Sequence, residues 1–411
     1  MKKKDVVIIG GGPAGLAAAL ELHRRGIRDL LIVEREKELG GILRQCIHDG
    51  FGLTRFRAPL SGPEYASRFI REVEENHIPY MTDTTVLHIS PDKTVTLAST
   101  NGLFHIQAKA VILSMGCRER TRGALSIPGE RPAGVFTAGV AQAYINLYNH
   151  MVGREVVILG SGDIGLIMAR RLTLEGAHVK AVFEIQSVPN GLTRNIEQCL
   201  NDYHIPLYLS HTITKIHGRD RVTKVTVSEV DKTLTPIPGT EQEYSCDTVI
   251  LSVGLIPENE LSLDAGVTLD SRTHGAVVDE HFQTDRPGIF ACGNVLHVHD
   301  LADFVSDEAE ATADSVADYI ACGSLDSCPI KISADRTIQH TVPMYVSGTK
   351  DFILSLRAAE KYEDCKLIVK QGNTLLAKEN IKRALPAEMI RISVPKEKIS
   401  GRKEIEVSLT C

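Results

Sequence analysis

The sequence contains no Cys-x-x-Cys pair and no block of like charge beyond Lys2–Lys4. It also has no apolar run near the roughly 20 residues that a bilayer-spanning helix requires. Each absence removes a class of function. The nine cysteines (46, 117, 199, 246, 292, 322, 328, 365 and 411) are odd in number and scattered, which suits reduced thiols rather than a disulfide framework. The closest two, Cys322 and Cys328, lack the third and fourth ligands of a zinc or iron-sulfur site, so no metal is expected. A net charge of -6 with no basic stripe leaves no footprint for nucleic acid, and Lys2–Lys4 read as a solvated tail. The apolar stretch from Val6 to Leu20 has the look of a signal-peptide core, but its glycines and Pro13 interrupt it at a turn. A cytoplasmic protein without a membrane span is expected.

What is present is material for several cores, since 411 residues at 43% hydrophobic content suggest two to three domains. Residues 5–15, DVVIIGGGPAG, run an apolar strand into Gly10, Gly12 and Gly15 and then into a helix through Pro13 and Ala14. In such a turn the first glycine permits the tight bend, the second admits a pyrophosphate, and the third lets helix pack on strand. Nineteen residues after Gly15, the strand LLIVE ends on Glu34, where a carboxylate accepts ribose hydroxyls. The whole device recurs 150 residues later. EVVILGSGDIG places Gly160, Gly162, Asp163, Ile164 and Gly165 opposite the first turn, Glu184 answers Glu34, and Gly176 answers the helix stop at Gly26. Two dinucleotides are expected.

Between these landmarks, GGILRQCIHDGFGL brings Gly41, Leu43, Cys46 and His48 into a stretch that would cross close over a flat ligand, next to Arg35. Cys46 reads equally as a buried small side chain, and His48 as a hydrogen-bonded loop histidine. A helix from Pro63 precedes three alternating segments, TTVLHISP, KTVTLAST and LFHIQAK, which predict an antiparallel meander with Val86 facing an adenine. The apolar strands AVILSMG and DTVILSVG close the two repeats on Gly116 and Gly254. CRERTRGALSIPGERPAGVFTAG reads as a loop-rich hinge whose Arg118, Glu119, Arg120 and Arg122 are a solvated connector. GAVVDEHFQTDRPGIFACGN gives two short strands, the second ending at Gly293 and Asn294, before a helix that stops at Gly323. From Pro329 onward, period-2 segments predict a β-sandwich of about 80 residues.

Residues 1 to about 325 resemble the two-dinucleotide-binding-domain flavoproteins of the pyridine nucleotide-disulfide oxidoreductase superfamily. The resemblance implies an α/β fold with two Rossmann-like domains, the NAD domain inserted in the FAD domain. Boundaries then fall at 1–117 (FAD, first part), 118–254 (NAD), 255–328 (FAD, second part) and 329–411 (all-β). It implies that FAD is held by Gly10, Gly12, Pro13, Ala14, Gly15, Glu34, Arg35, Gly41, Leu43, Val86, Gly116, Gly293 and Asn294. NAD(H) falls to Gly160, Gly162, Asp163, Ile164, Gly165, Glu184 and Gly254. The family usually carries Asp where this chain has Asn294. The helix beginning near Asp303–Ser306 would aim its N-terminus at the flavin and stabilise its reduced anionic form. More narrowly, GGILRQCIHDGFGL, SMGCRERTRG, PAGVFTAG and PAEMIRISVP are similar to the FAD/NAD subunits that accompany amine, opine and anaerobic glycerol-3-phosphate dehydrogenases.

Hydride exchange between nicotinamide and flavin needs no protein acid or base, and the paired thiol of the superfamily's disulfide reductases is missing here. Three readings stay open. One is an electron-transfer enzyme or subunit that serves a dehydrogenase or electron-transfer partner, with any iron-sulfur cluster on that partner. The second is a single-thiol peroxidase or disulfide reductase using Cys46, with His48 beside it. The third is a non-catalytic nucleotide-binding subunit. Oligomeric state is left open.

Overall fold

The runs DVVII, LLIV and AVIL lack a polar alternate face, so they are stable only as strands covered on both sides. In the computed structural model, which describes residues 2–410, they lie side by side in parallel. Strand Lys2–Ile9 pairs with Leu30–Val33, Val6 facing Leu30 and Ile9 facing Val33, and on its other side with Gly102–Leu113. Lys2–Lys4 are therefore not a tail. They extend the first strand opposite Ile106–Ala108, and Lys4 Nζ lies 2.7 Å from Asp29.

LFHIQAK and AVIL, read as separate elements, form one strand of 12 residues. Its first half pairs antiparallel with Thr94–Ser99, which pairs with Thr84–Ile89, so the meander grows directly from the parallel sheet. Ile289–Ala291 joins the far side to complete seven strands. The GAVVDE segment is no strand but a set of isolated bridges, Leu269 with Ala276 and Val278 with Thr284. Helix Pro13–Arg24 packs against the 21-residue helix Ala302–Cys322. Helix Gly62–Glu75 starts at a reciprocal cap between Ser61 and Glu64.

The chain divides into two compact units, Met1–Cys117 with Pro257–Cys411, and Arg118–Ile256. The second repeats the plan of the first, with five parallel strands in the order Leu207–Leu209, His178–Glu184, Glu155–Leu159, Thr248–Leu251, Val135–Thr137. An antiparallel meander of His211–His217, Lys224–Glu229 and Gln242–Ser245 accompanies them. Val135–Thr137 lies inside the stretch read as hinge, three residues being too few to show a period. Nor are the charges there simply solvated. Both Glu119 carboxylate oxygens accept from the Gly139 N–H at 2.9 Å, and the Arg122 guanidinium donates to the carbonyls of Ile127, Pro128, Gly129 and Glu130.

The last 80 or so residues form eight strands in a five-stranded and a three-stranded sheet around Leu354, Leu356, Leu367, Val369, Val394 and Val407. Five are legible by alternation as single strands. Strand Ile330–Ala334 is not, and HTVPMYVSG splits in two around Pro343.

Candidate functional site

Each cradle is a strand end, a glycine turn and a helix start held by one buried carboxylate. In the first, Gly10 takes φ +107°, and a Cβ there would lie 2.5 Å from the Ser114 carbonyl oxygen, so only glycine lets the chain turn beneath the closing strand. Gly12 precedes the helix at Pro13, and a Cβ on it would meet only Gly41 Cα, at 3.8 Å. The backbone at Gly12 is thus open to the close approach of a phosphate. Glu34 is 6% exposed, and its Oε2 accepts from Gly11 N–H at 2.7 Å while Oε1 accepts from Glu36 N–H at 2.9 Å.

The second cradle reproduces this bond for bond. Glu184 Oε2 accepts from Ser161 N–H at 2.9 Å, and Oε1 from Gln186 N–H at 2.9 Å. Ser161 Oγ adds a donor at 2.6 Å that Gly11 lacks. Gly160 N–H bonds to the Phe183 carbonyl as Gly10 N–H does to that of Val33. The offset of 150 residues therefore holds for hydrogen bonds as well as letters. Gly162 precedes helix Asp163–Leu174, where Asp163 fastens Leu192 N–H and Asn195 at 2.8 and 2.7 Å, and Gly165 N–H donates to Ser252 Oγ at 3.0 Å. Ile164 packs at the edge of that unit's core, and Gly254 accepts from Arg120 N–H at 3.0 Å.

The expected flavin residues converge within the first unit. Gly41 closes on the cradle, since a Cβ there would be 2.9 Å from Gly12 Cα, and one on Gly293 would be 2.9 Å from Ala14. Leu43 is buried in the short helix Gly41–Gln45, and Gly116 accepts from Glu258 N–H at 3.0 Å. Arg35 is exposed beside Glu36, and Val86 belongs to the core cluster that includes Ile9 and Val33, because its strand's alternation turns that face inward.

Cys46 is half-buried, and its Sγ donates to the Ile42 carbonyl at 3.3 Å. Burial pushes its thiol up to about 12. A thiol held protonated in this way is a poor nucleophile. His48 is bonded through Nδ1 to the Asp49 carbonyl at 3.0 Å and lies against Phe51, as a loop histidine. The eight described cysteines form no disulfide with one another, and Cys411 lies outside the described residues. No helix of the described residues is long and apolar enough to cross a membrane.

Sequence reading missed the layer beneath Gly293 and Asn294. Glu308, on the long helix, accepts from Gly293 N–H at 2.7 Å through Oε1, and Oε2 lies 2.6 Å from His297 Nε2 and 3.4 Å from His299 Nε2. His299 N–H in turn donates to Asn294 Oδ1 at 3.0 Å. Burial alone would raise the Glu308 carboxyl, but the two imidazoles outweigh it and hold it well below the usual carboxylate range. Burial pushes His297 below its ordinary value, against the opposing pull of the Glu308 carboxylate. Asp303, in the first turn of the same helix, binds the N–H groups of Gly52, Thr54 and Arg55 at 3.1, 2.8 and 3.2 Å, so this acid fixes a loop. The spacing of Glu308 from the glycine motif was the available signal, obscured by the many other acids on the helix.

Residues 4–313 match the protein family described as pyridine nucleotide-disulphide oxidoreductase. The chain belongs to that family. Its paired Rossmann-like folds agree with that membership. Family relatives include an alkyl hydroperoxide reductase subunit of Staphylococcus aureus (strain NCTC 8325 / PS 47), 28% identical over 328 residues, which cover 77% of this chain and 59% of that protein. Thioredoxin reductase of Treponema pallidum (strain Nichols) is 28% identical over 305 residues, 71% of this chain and 88% of that one. The crystal structure of Lactococcus lactis thioredoxin reductase in its FR conformation superposes with a TM-score of 0.64 at 22% identity, covering 77% of this chain and 99% of that one. The chain thus spans about three-fifths of the length of the alkyl hydroperoxide reductase subunits it matches.

Proposed function

We propose that the chain binds FAD in the cradle of Gly10–Gly15 and Glu34 and NADH in that of Gly160–Gly165 and Glu184, and passes electrons to a partner protein or small acceptor rather than through a thiol of its own. When bound, the two cofactors supply the hydride exchange. The protein supplies binding and orientation: N–H groups toward pyrophosphates, carboxylates toward ribose hydroxyls, and a rigid shelf at Gly293 fixed by Glu308. What supports the reading is the Cys46 thiol, whose Sγ donates to the Ile42 carbonyl, in a chain without a Cys-x-x-Cys pair. A role beside a dehydrogenase, with any iron-sulfur cluster on the partner, extends the narrower likeness of GGILRQCIHDGFGL and SMGCRERTRG. The scattered free thiols support a reducing, cytoplasmic setting.

Cys46→Ser should retain FAD and be reduced by NADH within about threefold of the parent rate, a barrier change below roughly 0.7 kcal/mol. The parent should take up two electrons per FAD in an anaerobic dithionite titration. A four-electron endpoint, or peroxide or disulfide turnover lost in Cys46→Ser, transfers the assignment to a thiol reductase, the activity carried in the names of the two relatives.

NADH should also outcompete NADPH. A 2'-phosphate would approach Glu184, a buried carboxylate, and no Lys or Arg follows in sequence until Arg194. Even 2 kcal/mol of like-charge repulsion is about thirtyfold in affinity, at ~1.4 kcal/mol per tenfold. Stopped-flow reduction at limiting coenzyme measures it. Equal rates for the two coenzymes would count against Glu184 as the ribose ligand, and Glu184→Ala should narrow the gap.

A further inference from the structure

Cys328 lacks companions in the sequence, but the fold brings Glu280 and His281 to it. The two lie in the turn after Val278, and Cys328 lies between helix Ala302–Cys322 and strand Ile330–Ala334. One ligand atom from each of the three falls within 4.8 Å of the others. Glu280 is 6% and His281 8% exposed, yet Glu280 Oε2 and His281 Nε2 have no hydrogen-bond partner among the described residues. Buried polar atoms are nearly always paired, so two adjacent exceptions that flank a thiol indicate a missing electrophile.

The neighbours already orient the set. Ser347 Oγ donates to Glu280 Oε1, and Lys350 Nζ lies 3.0 Å from His281 Nδ1. Ser347 is the kind of outer partner that supports a metal ligand, whereas Lys350, an ammonium that donates to Nδ1, opposes ligation through Nε2. With Lys350 donating to Nδ1, the neutral His281 ring carries its proton on Nε2, and an ion must displace that proton to be bound there. Burial and the nearby Asp279 and Glu280 hold the Cys328 thiol protonated, and only a cation would ionise it.

The geometry points to a binding site for one divalent transition ion, of which Zn2+ best suits a carboxylate, an imidazole and a thiolate together. The site ties the turn at residues 279–283, the segment after the long helix and, through Ser347 and Lys350, the β-sandwich. Coordination releases one proton, from Cys328. When the ion takes His281 Nε2, the ring proton moves to Nδ1, so Lys350 gives up its hydrogen bond there.

The test uses the chelator-treated full-length flavoprotein titrated with Co2+, read by ligand-field absorption at wavelengths beyond the oxidised flavin, and with Zn2+ by equilibrium dialysis. One equivalent per chain is expected. Cys328→Ser and Glu280→Gln should each weaken binding at least about tenfold, the loss known even for outer-shell partners, with FAD content unchanged. Lys350→Met should tighten it. Failure to bind either ion specifically, or binding that survives both Cys328→Ser and Glu280→Gln, overturns the site. Survival would place the ion elsewhere, the cluster of His297, His299 and Glu308 being the alternative. If Cys328→Ser does not fold, Glu280→Gln decides alone.

Discussion

Gly12→Ala is expected to give a folded protein that purifies without FAD. The substitution is informative because the protein itself tolerates it, the nearest atom to the new Cβ being Gly41 Cα at 3.8 Å. Gly15→Ala, by contrast, would drive a methyl to 1.9 Å from the Gly10 carbonyl oxygen and disrupt the strand-helix packing with or without a ligand. Only a pyrophosphate seated on the turn meets the Gly12 methyl, and its loss of approach should cost at least a hundredfold in affinity, about 2.8 kcal/mol at ~1.4 kcal/mol per tenfold. Flavin absorbance per chain after dialysis, with circular dichroism as the folding control, measures it. Parental FAD retention would remove the pyrophosphate from this turn.

Glu308→Ala is expected to be the most destabilising of these changes, by about 3 kcal/mol, the cost of deleting one member of a buried charged network. It strands the Gly293 N–H and the His297 donor in the interior. Glu308→Gln should recover part of the loss, because its amide oxygen takes the Gly293 N–H while its NH2 donates to the other tautomer of His297. The pH dependence has a definite sign. A carboxyl whose folded pKa is depressed contributes fully above its unfolded value near 4.5 and loses that contribution as pH falls toward the folded one. The gap between parent and Glu308→Ala should therefore be constant from pH 8 to about 5 and close on acidification below about 4.5. Urea midpoints across that range test it, and a gap that widens in acid would contradict the assignment of Glu308 as ionised.

The cradles are legible because their chemistry is local. A glycine turn, a helix start and an acid at the next strand end all fall within thirty residues, and the same letters appear twice, so Glu34 and Glu184 stand out in the sequence alone. Val86 shows the complementary limit. Its strand alternates, but which face of a meander turns inward is set by the sheet it joins, and here Val86 lies in the core cluster that includes Ile9 and Val33. Lys2–Lys4 misled similarly, since polar residues extend a strand when a longer neighbour offers partners, as Gly102–Leu113 does.

The sequence by itself determined the two nucleotide folds, their internal repetition, the position of the glycines and acids that would meet each dinucleotide, and the β character of the last 80 residues. All of these are written in short-range period and turn chemistry. Tertiary structure alone decided what depends on residues far apart in the chain. It pushed the Cys46 thiol up through burial, set Glu308 under Gly293 with two histidines around it, and brought Glu280 and His281 to Cys328. The physical reason is common to all three: desolvation and ligand geometry are properties of a packed neighbourhood, and no spacing in one dimension encodes which distant side chains will share it.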